Sequence, residues 1–319
     1  MRSISIVIPT FNEEESVDEL YSRLAAVTAG LKDYLFEFIF VDDGSADGTV
    51  RKVKSINQRD GRVKLLSFSR NFGHQSALIA GLDHASGDAV IVMDADLQHP
   101  PELIPELIRE WRAGYEVVNT IRRETVDAGW FKKASSAFFY MLINKLSQVK
   151  ILPNSADFRL MDMKAVRSLC SIREQSRFIR GLVVWIGYRQ TAVPYVAVQR
   201  FAGKSKYSLR KMVAFAFDGI SSFSAFPLRV ATYFGLLVSF LSFVYAIFAV
   251  YVKLFTDKAI AGWTSVLVVS LFLGGVQLLT IGCMGEYINR IYTEVKRRPL
   301  YIVRETAGIE KASDRQGLD

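Results

Sequence analysis

Two stretches in the last third of the chain, Val230–Val252 and Ala259–Gly285, run for 23 and 27 residues without a charge. About 20 apolar residues in a helix cross a bilayer core. One such run could be a buried helix of a soluble domain; two in tandem point to a membrane hairpin closed by Lys253–Lys258. Basic residues set its orientation. Arg200, Lys204, Lys206, Arg210, Lys211 and Arg229 precede the first run, and Arg290, Lys296, Arg297, Arg298 and Arg304 follow the second. Only Lys253 and Lys258 lie between. Both termini are therefore expected on the cytoplasmic face of the cell membrane, with no signal peptide. Just before the first run, Leu209, Met212, Val213, Ala216, Phe217, Ile220 and Phe223 share one helical face. A basic amphipathic helix beside a span is expected to lie in the headgroup plane.

The remainder reads as a soluble domain. Ile4–Ile8, Phe36–Val41, Val63–Phe68, Ala89–Met93 and Glu116–Asn119 are short apolar runs that predict strands. Glu14–Leu31, Thr49–Gln58, Gln75–Ala85 and Pro101–Ala113 separate them with helical periodicity. Strand–helix alternation predicts an α/β fold with a mostly parallel sheet covered on both faces. Phe131–Leu146 reads as a further helix, and the apolar run Phe178–Ile186 as a segment packed on the sheet. The expected organisation is a catalytic domain over 1–205 and an amphipathic juxtamembrane helix over 206–228. A hairpin follows over 229–286, with spans near 230–252 and 261–285, and then a cytoplasmic tail over 287–319.

Ligands of such sheets bind outside the strand C-termini. Three polar clusters fall there: Pro9–Glu13, Asp42–Ser45 and Asp94–Gln98. In the last, Asp94 and Asp96 end an apolar strand. Paired carboxylates at that position are costly unless something positive binds. Hard oxygen ligands suit Mg²⁺ or Mn²⁺ carrying a diphosphate. The same residues also suit an acidic turn capping the helix begun by Pro100-Pro101. No Gly-x-Gly-x-x-Gly or Walker-type Gly-Lys-Ser/Thr occurs, which leaves a dinucleotide oxidoreductase or P-loop NTPase unsupported. Cys170 and Cys283 are too few and too far apart for a zinc site or disulfide framework. The net charge of +8 concentrates beside the apolar runs, so it fits membrane contact better than nucleic acid.

These motifs, taken together, resemble glycosyltransferase family 2 with its GT-A (Rossmann-like) fold, and within it the polyprenyl-phosphate glycosyltransferases. Dolichyl-phosphate mannose synthase is one relative; the bactoprenol glucosyltransferases of O-antigen modification are more similar. The resemblance covers about residues 3–303. It rests on Val7–Glu14, Val41–Ser45, Ser69–Gly73, Asp94–Gln98, Asp157–Met161, Arg200–Tyr207, Phe272–Gln277 and Gly285–Tyr287.

The resemblance implies a cell-envelope enzyme with a nucleotide-sugar donor and a polyprenyl (undecaprenyl) phosphate acceptor. Pro9, Phe11 and Glu13 would shape the base and ribose site, with Asp42 or Asp43 bonding the base. Asp94 and Ala95 would face the nucleotide sugar. Asp94, Asp96 and Gln98 would hold Mg²⁺ or Mn²⁺, and His99 would stand behind them or at the surface. Asp157 would either accept a residual proton or orient the acceptor through Arg159. A phosphate monoester is mostly dianionic above its second pKa of about 6, so it needs little help from a base. Arg200, Lys204 and Lys206, with Arg122, Lys132 and Lys133, are candidates to bind its phosphate, Arg200 first because a guanidinium binds phosphate bidentately. UDP-glucose is the first choice of donor; mannose, galactose, N-acetylhexosamines and modified arabinose are alternatives. A processive polysaccharide synthase would carry Gln-x-x-Arg-Trp and more spans, and a non-catalytic membrane scaffold would not need the acidic motifs. Gly274-Gly275 would let a second copy pack closely as a homo-oligomer.

Overall fold

The computed structural model of the protein describes residues 1–122, 155–175, 177–196, 226–255 and 262–309. Its first 122 residues obey the strand–helix alternation: β1 (Arg2–Thr10), α1 (Val17–Ala29), β2 (Tyr34–Asp42), α2 (Thr49–Arg59), β3 (Val63–Phe68), α3 (His74–His84), β4 (Ala89–Val92), α4 (Ile104–Arg112) and β5 (Val117–Arg122). A single 3-10 turn, Pro101–Leu103, precedes α4. It divides the helix expected over Pro101–Ala113, because Pro101 and Pro105 supply no N–H to a regular α ladder.

Period-two alternation in β1 sorts its side chains between two cores. Ile4, Ile6 and Ile8 meet Leu20 and Leu24 of α1, Val53 of α2 and Leu107 of α4. Val7 points the other way, towards Ala77, Leu78 and Ile79 of α3. The strand is buried on both faces, as a central parallel strand requires. Truncating a fully buried leucine such as Leu20 to Ala removes about 2–5 kcal/mol.

The sheet order is β7-β5-β6-β4-β1-β2-β3-β8. Strands β1 to β5 and β7 (Gln190–Tyr195) share one direction. β6 (Ser155–Asp162) runs against them between β4 and β5, with Arg159 opposite both Val92 and Asn119. Its N-terminal half therefore lies at the C-terminal ends of its neighbours, where the polar clusters collect. Asp157 and Arg159 interrupt the hydropathy of this strand. Two further helices, α5 (Met163–Ser171) and α6 (Ile179–Trp185), follow; α6 accounts for most of the apolar run 178–186.

The segment expected as a tail contributes an eighth strand. β8 (Val303–Ala307) pairs antiparallel with β3, Leu66 opposite Thr306. Lys54 and Glu305 form an ion pair of 2.6 Å across that edge. Before it come α7 (Phe226–Phe255) and α8 (Trp263–Val295), of 30 and 33 residues, which pack on each other. At about 1.5 Å per residue each is roughly 45–50 Å long. Their large apolar side chains are exposed, Phe240, Phe243, Leu278 and Ile281 all above half. Counted over the described side chains alone, however, no helix is long and apolar enough to cross a membrane. The structure thus gives the two helices of the expected hairpin without showing a span. Both the amphipathic helix expected over 206–228, up to residue 225, and that over Phe131–Leu146 lie outside the described residues.

Candidate functional site

The β1–α1 and β2–α2 loops are stitched together at the C-terminal edge of the sheet. Asn12 takes a left-handed φ of 56°, donates its N–H to Ser45 Oγ at 2.9 Å and accepts the Ala46 N–H at 2.9 Å. Glu13 N–H donates to Thr49 Oγ1 at 2.9 Å. The result is a fixed floor from which Phe11 stands 47% exposed, as a stacking surface for a base would. Pro9 is buried within β1, so it shapes the loop from below. The Glu13 carboxylate turns back onto Ser16, whose Oγ donates at 2.6 Å.

Asp42 and Asp43, expected to bond the base, are both buried and already accept protein donors. Asp42 takes the Ser45 N–H at 3.1 Å and Ser67 Oγ at 2.8 Å. Asp43 takes the N–H groups of Phe72 at 2.6 Å and Gly73 at 2.9 Å. Burial raises the Asp43 carboxyl and these two N–H groups oppose the rise. Their described role is to hold loops 43–49 and 69–73. Gly44 shows why its residue type matters: at φ 74° an added Cβ would sit 2.6 Å from the Arg70 carbonyl carbon.

The turn after β4 alternates. Ala95 and Leu97 fill the core, whereas Asp94, Asp96 and Gln98 stay partly exposed. Ala95, expected against the nucleotide sugar, thus faces inward. Leu97 adopts φ 62°, a costly conformation for a branched residue, and it sets this alternation. Gln98 N–H donates to Asp96 Oδ1 at 3.1 Å, and Arg122 Nη1 reaches Gln98 Oε1 at 3.5 Å. His99 is buried, stacked on Phe158 at 5.2 Å between ring centroids. Its Nδ1 accepts the Asp94 N–H at 3.0 Å, so that nitrogen carries no proton and supports Asp94 from behind. Among the described residues Asp94 Oδ1 is buried without a hydrogen-bond partner. Burial first, and the Asp157 and Asp96 charges after it, hold its carboxyl above the usual range against the pull of His99 and His74. A buried carboxylate oxygen without a hydrogen-bond donor, beside a second carboxylate, fits a cation. Among the described residues no three His, Cys, Asp or Glu side chains group to hold a metal, so these two acids and Gln98 would leave positions for substrate oxygens.

Antiparallel β6 brings Asp157 alongside. Arg180 grips it bidentately, Nε to Oδ1 at 3.0 Å and Nη2 to Oδ2 at 2.9 Å, and Arg159 Nη2 adds a bond to Oδ1 at 3.3 Å. Burial would raise this carboxyl, but Arg180 and then Arg159 and His74 hold it well below the carboxylate range. Arg159 was expected to touch the acceptor. It is 2% exposed and bonds Asp157 from behind, its Nη2 also donating to Ala156 O at 3.1 Å. Burial lowers its guanidinium to about 10, where it is still charged.

Two residues of the site escaped the sequence reading. Arg180 is the one charge in the run Phe178–Ile186, and that isolation was the available signal. His74, at the start of α3, places Nε2 3.5 Å from Asp94 Oδ1. Of the six candidate phosphate-binding cations only Arg122 is described; Lys132, Lys133, Arg200, Lys204 and Lys206 lie outside the described residues.

Residues 5–170 match the description Glycosyl transferase family 2. The chain is 47% identical over 306 residues to the uncharacterized glycosyltransferase YkcC of Bacillus subtilis, covering 96% of this chain and 94% of that protein. It is 45% identical over 303 residues to the SfII prophage-derived bactoprenol glucosyl transferase of Shigella flexneri, covering 95% and 98%. Among solved structures, the glucosyl-3-phosphoglycerate synthase of M. tuberculosis is similar at a TM-score of 0.46 and 20% identity, over 68% of this chain and 77% of that one.

Proposed function

From a chain that belongs to glycosyl transferase family 2, we propose an enzyme that transfers glucose from UDP-glucose to a polyprenyl phosphate, undecaprenyl phosphate in a bacterial membrane. The observation that carries this reading is the apposition of two unlike carboxylates at one sheet edge. Among the described residues Asp94 Oδ1 is buried with no hydrogen-bond donor and only His74 Nε2 at 3.5 Å, while Asp157 has both oxygens bound by arginine. The first suits a cation-bound diphosphate and the second suits orienting an anionic acceptor. The glucose and the bactoprenol lipid are carried over from what the Shigella flexneri relative is called.

A divalent cation bound by Asp94, Asp96 and Gln98 would neutralise charge growing on the leaving diphosphate. Phe11 offers its ring to the base. Asp157 stays ionised across the physiological range, and Arg180, 30% exposed, presents its outer edge towards an incoming phosphate. Attack by a phosphate oxygen on the anomeric carbon inverts it as the bond to the diphosphate breaks. The acceptor is already mostly dianionic, so Asp157 orients rather than deprotonates. Arg122, with Arg200, Lys204 and Lys206 contributed from beyond the described residues, would gather the lipid phosphate at the membrane surface.

The membrane reading rests on the charge-free runs 230–252 and 259–285 and on the exposed apolar faces of α7 and α8. It also draws support from β8, since a chain that returns to its own catalytic sheet after α8 needs an even number of crossings. Both termini are then cytoplasmic. The test is a donor screen: full-length protein in detergent with Mg²⁺ or Mn²⁺, undecaprenyl phosphate and radiolabelled sugar nucleotides, followed by organic extraction. Label from UDP-glucose should enter the lipid phase; transfer from another nucleotide sugar alone would overturn the glucose assignment.

A further inference from the structure

Beyond α8 the chain does more than close the sheet. Ile302 carbonyl oxygen accepts the N–H of Ser69, the first residue of the loop that leads into α3. One residue earlier, Tyr301 stacks on Phe68 with 5.2 Å between centroids and 13° between planes. Phe68 in turn meets Phe72 edge-on at 5.7 Å. Phe72 donates its N–H to Asp43, Gly73 turns through φ 97°, and His74 then arrives 3.5 Å from Asp94 Oδ1. Tyr301 is itself pinned: its hydroxyl donates to Asp83 Oδ2 at 2.9 Å, and Arg173 grips the same carboxylate through two bonds of 2.8 Å. The end of α8 is pinned too, with Gln175 Nε2 donating to Arg298 O and Gln175 N–H to Glu294, each at 2.6 Å.

We propose that Tyr301 is a positioning residue of the donor site: through Phe68 and Phe72 it fixes the loop that carries His74 to Asp94. This rests on the reading of Asp94 as the donor-diphosphate side of the site. The consequence is that the last helix and the sugar-nucleotide pocket share one rigid joint. A loop bound at one end by a backbone hydrogen bond and packed by two aromatic contacts has few alternatives to its seated form. Loss of the stack releases residues 70–74 and leaves the arginine hydrogen bonds to Asp157 in place.

The test compares Tyr301→Leu with Tyr301→Phe in the full chain, using calorimetry with UDP and Mn²⁺ and amide exchange of the unliganded protein. Tyr301→Leu should weaken UDP by about 3- to 10-fold, the range one aromatic pair supports, and speed exchange at Phe72 and Gly73. The KM for undecaprenyl phosphate should not move. Tyr301→Phe keeps the stack and should bind UDP as wild type does, which a purely structural need for the Asp83 bond would not allow. If Tyr301→Leu fails to fold, Phe72→Leu carries the same test from the other end of the path. Unchanged UDP affinity in either folded variant, with wild type binding UDP, overturns the inference alone. Wild type that binds no UDP overturns the proposed function and the donor-site half of this inference with it.

Discussion

Replacing Arg180 by Gln removes the principal support of Asp157. Arg180 supplies two of the three side-chain hydrogen bonds to that carboxylate, at 3.0 and 2.9 Å, while Arg159 keeps one at 3.3 Å. Hydrogen bonds to charged groups contribute about 1.5–3 kcal/mol each. Arg180 is 30% exposed, so water can refill part of its place, and the lower half of the sum applies. The expected destabilisation is therefore about 3–4.5 kcal/mol. Its pH dependence has a defined sign. The Asp157 carboxyl is depressed in the folded protein, so its stabilising contribution is complete above the unfolded pKa of about 3.9 and declines as pH falls below it. Wild type and R180Q should differ most near neutrality and approach each other in acid. Turnover should fall further than stability suggests, by about 100-fold, because an orienting carboxylate displaced by about 1 Å costs that much. UDP affinity should not change, since the two hydrogen bonds that the substitution removes go to Asp157, on the acceptor side of the site. Thermal melts between pH 3 and 8, calorimetry with UDP and glucosyl transfer to lipid measure the three quantities. A folded R180Q with wild-type turnover would refute the orienting role of Asp157 and leave the clamp purely structural.

Other outcomes follow from the same geometry. Asp94→Asn removes a carboxylate whose buried Oδ1 has only His74 Nε2 at 3.5 Å, so the unliganded protein should melt close to wild type while Mn²⁺-dependent UDP binding is lost. His99→Leu should lower turnover and leave the ratio of Mg²⁺ to Mn²⁺ activity unchanged, because its Nδ1 serves the Asp94 backbone. Gly44→Ala should cost about 1–3 kcal/mol in melting experiments and weaken UDP, since the Cβ meets the Arg70 backbone at a left-handed φ. Asp60, held at about 2 chiefly by Arg62, should contribute about 1 kcal/mol at pH 7 that vanishes as pH falls through 2, so Asp60→Asn and wild type should converge there in acid melts.

The parallel half of the sheet was legible because its strands are uninterrupted apolar runs and its helices keep a 3.6-residue period. β6 was not, because Asp157 and Arg159 break its hydropathy. Only the antiparallel insertion between β4 and β5 makes those charges adjacent to Asp94. β8 was missed for a related reason: Val303–Ala307 is an edge strand with Arg304 and Thr306 exposed and Glu305 paired with Lys54, and such a segment reads as a polar tail. Asp94 and Asp96 were legible as a pair, since two acids ending an apolar strand demand a partner. Their neighbour Ala95 is buried, and the left-handed φ at Leu97 is a turn that no residue type announces at a leucine. Asp42 and Asp43 read as ligand contacts; the donors that occupy them come from residues 45, 67, 72 and 73, a pairing that only the fold creates.

The most direct measurement is transfer of label from UDP-[14C]glucose to undecaprenyl phosphate by the purified full-length protein with Mn²⁺, compared with its D94N and D157N variants. The expected result is an organic-extractable, acid-labile glucosyl lipid from wild type and near-complete loss in both variants, with UDP binding lost only in D94N. Lipid glucosylation that persists in either variant, or no lipid product from a wild-type protein that binds UDP, would contradict the assignment of the two carboxylates to donor and acceptor.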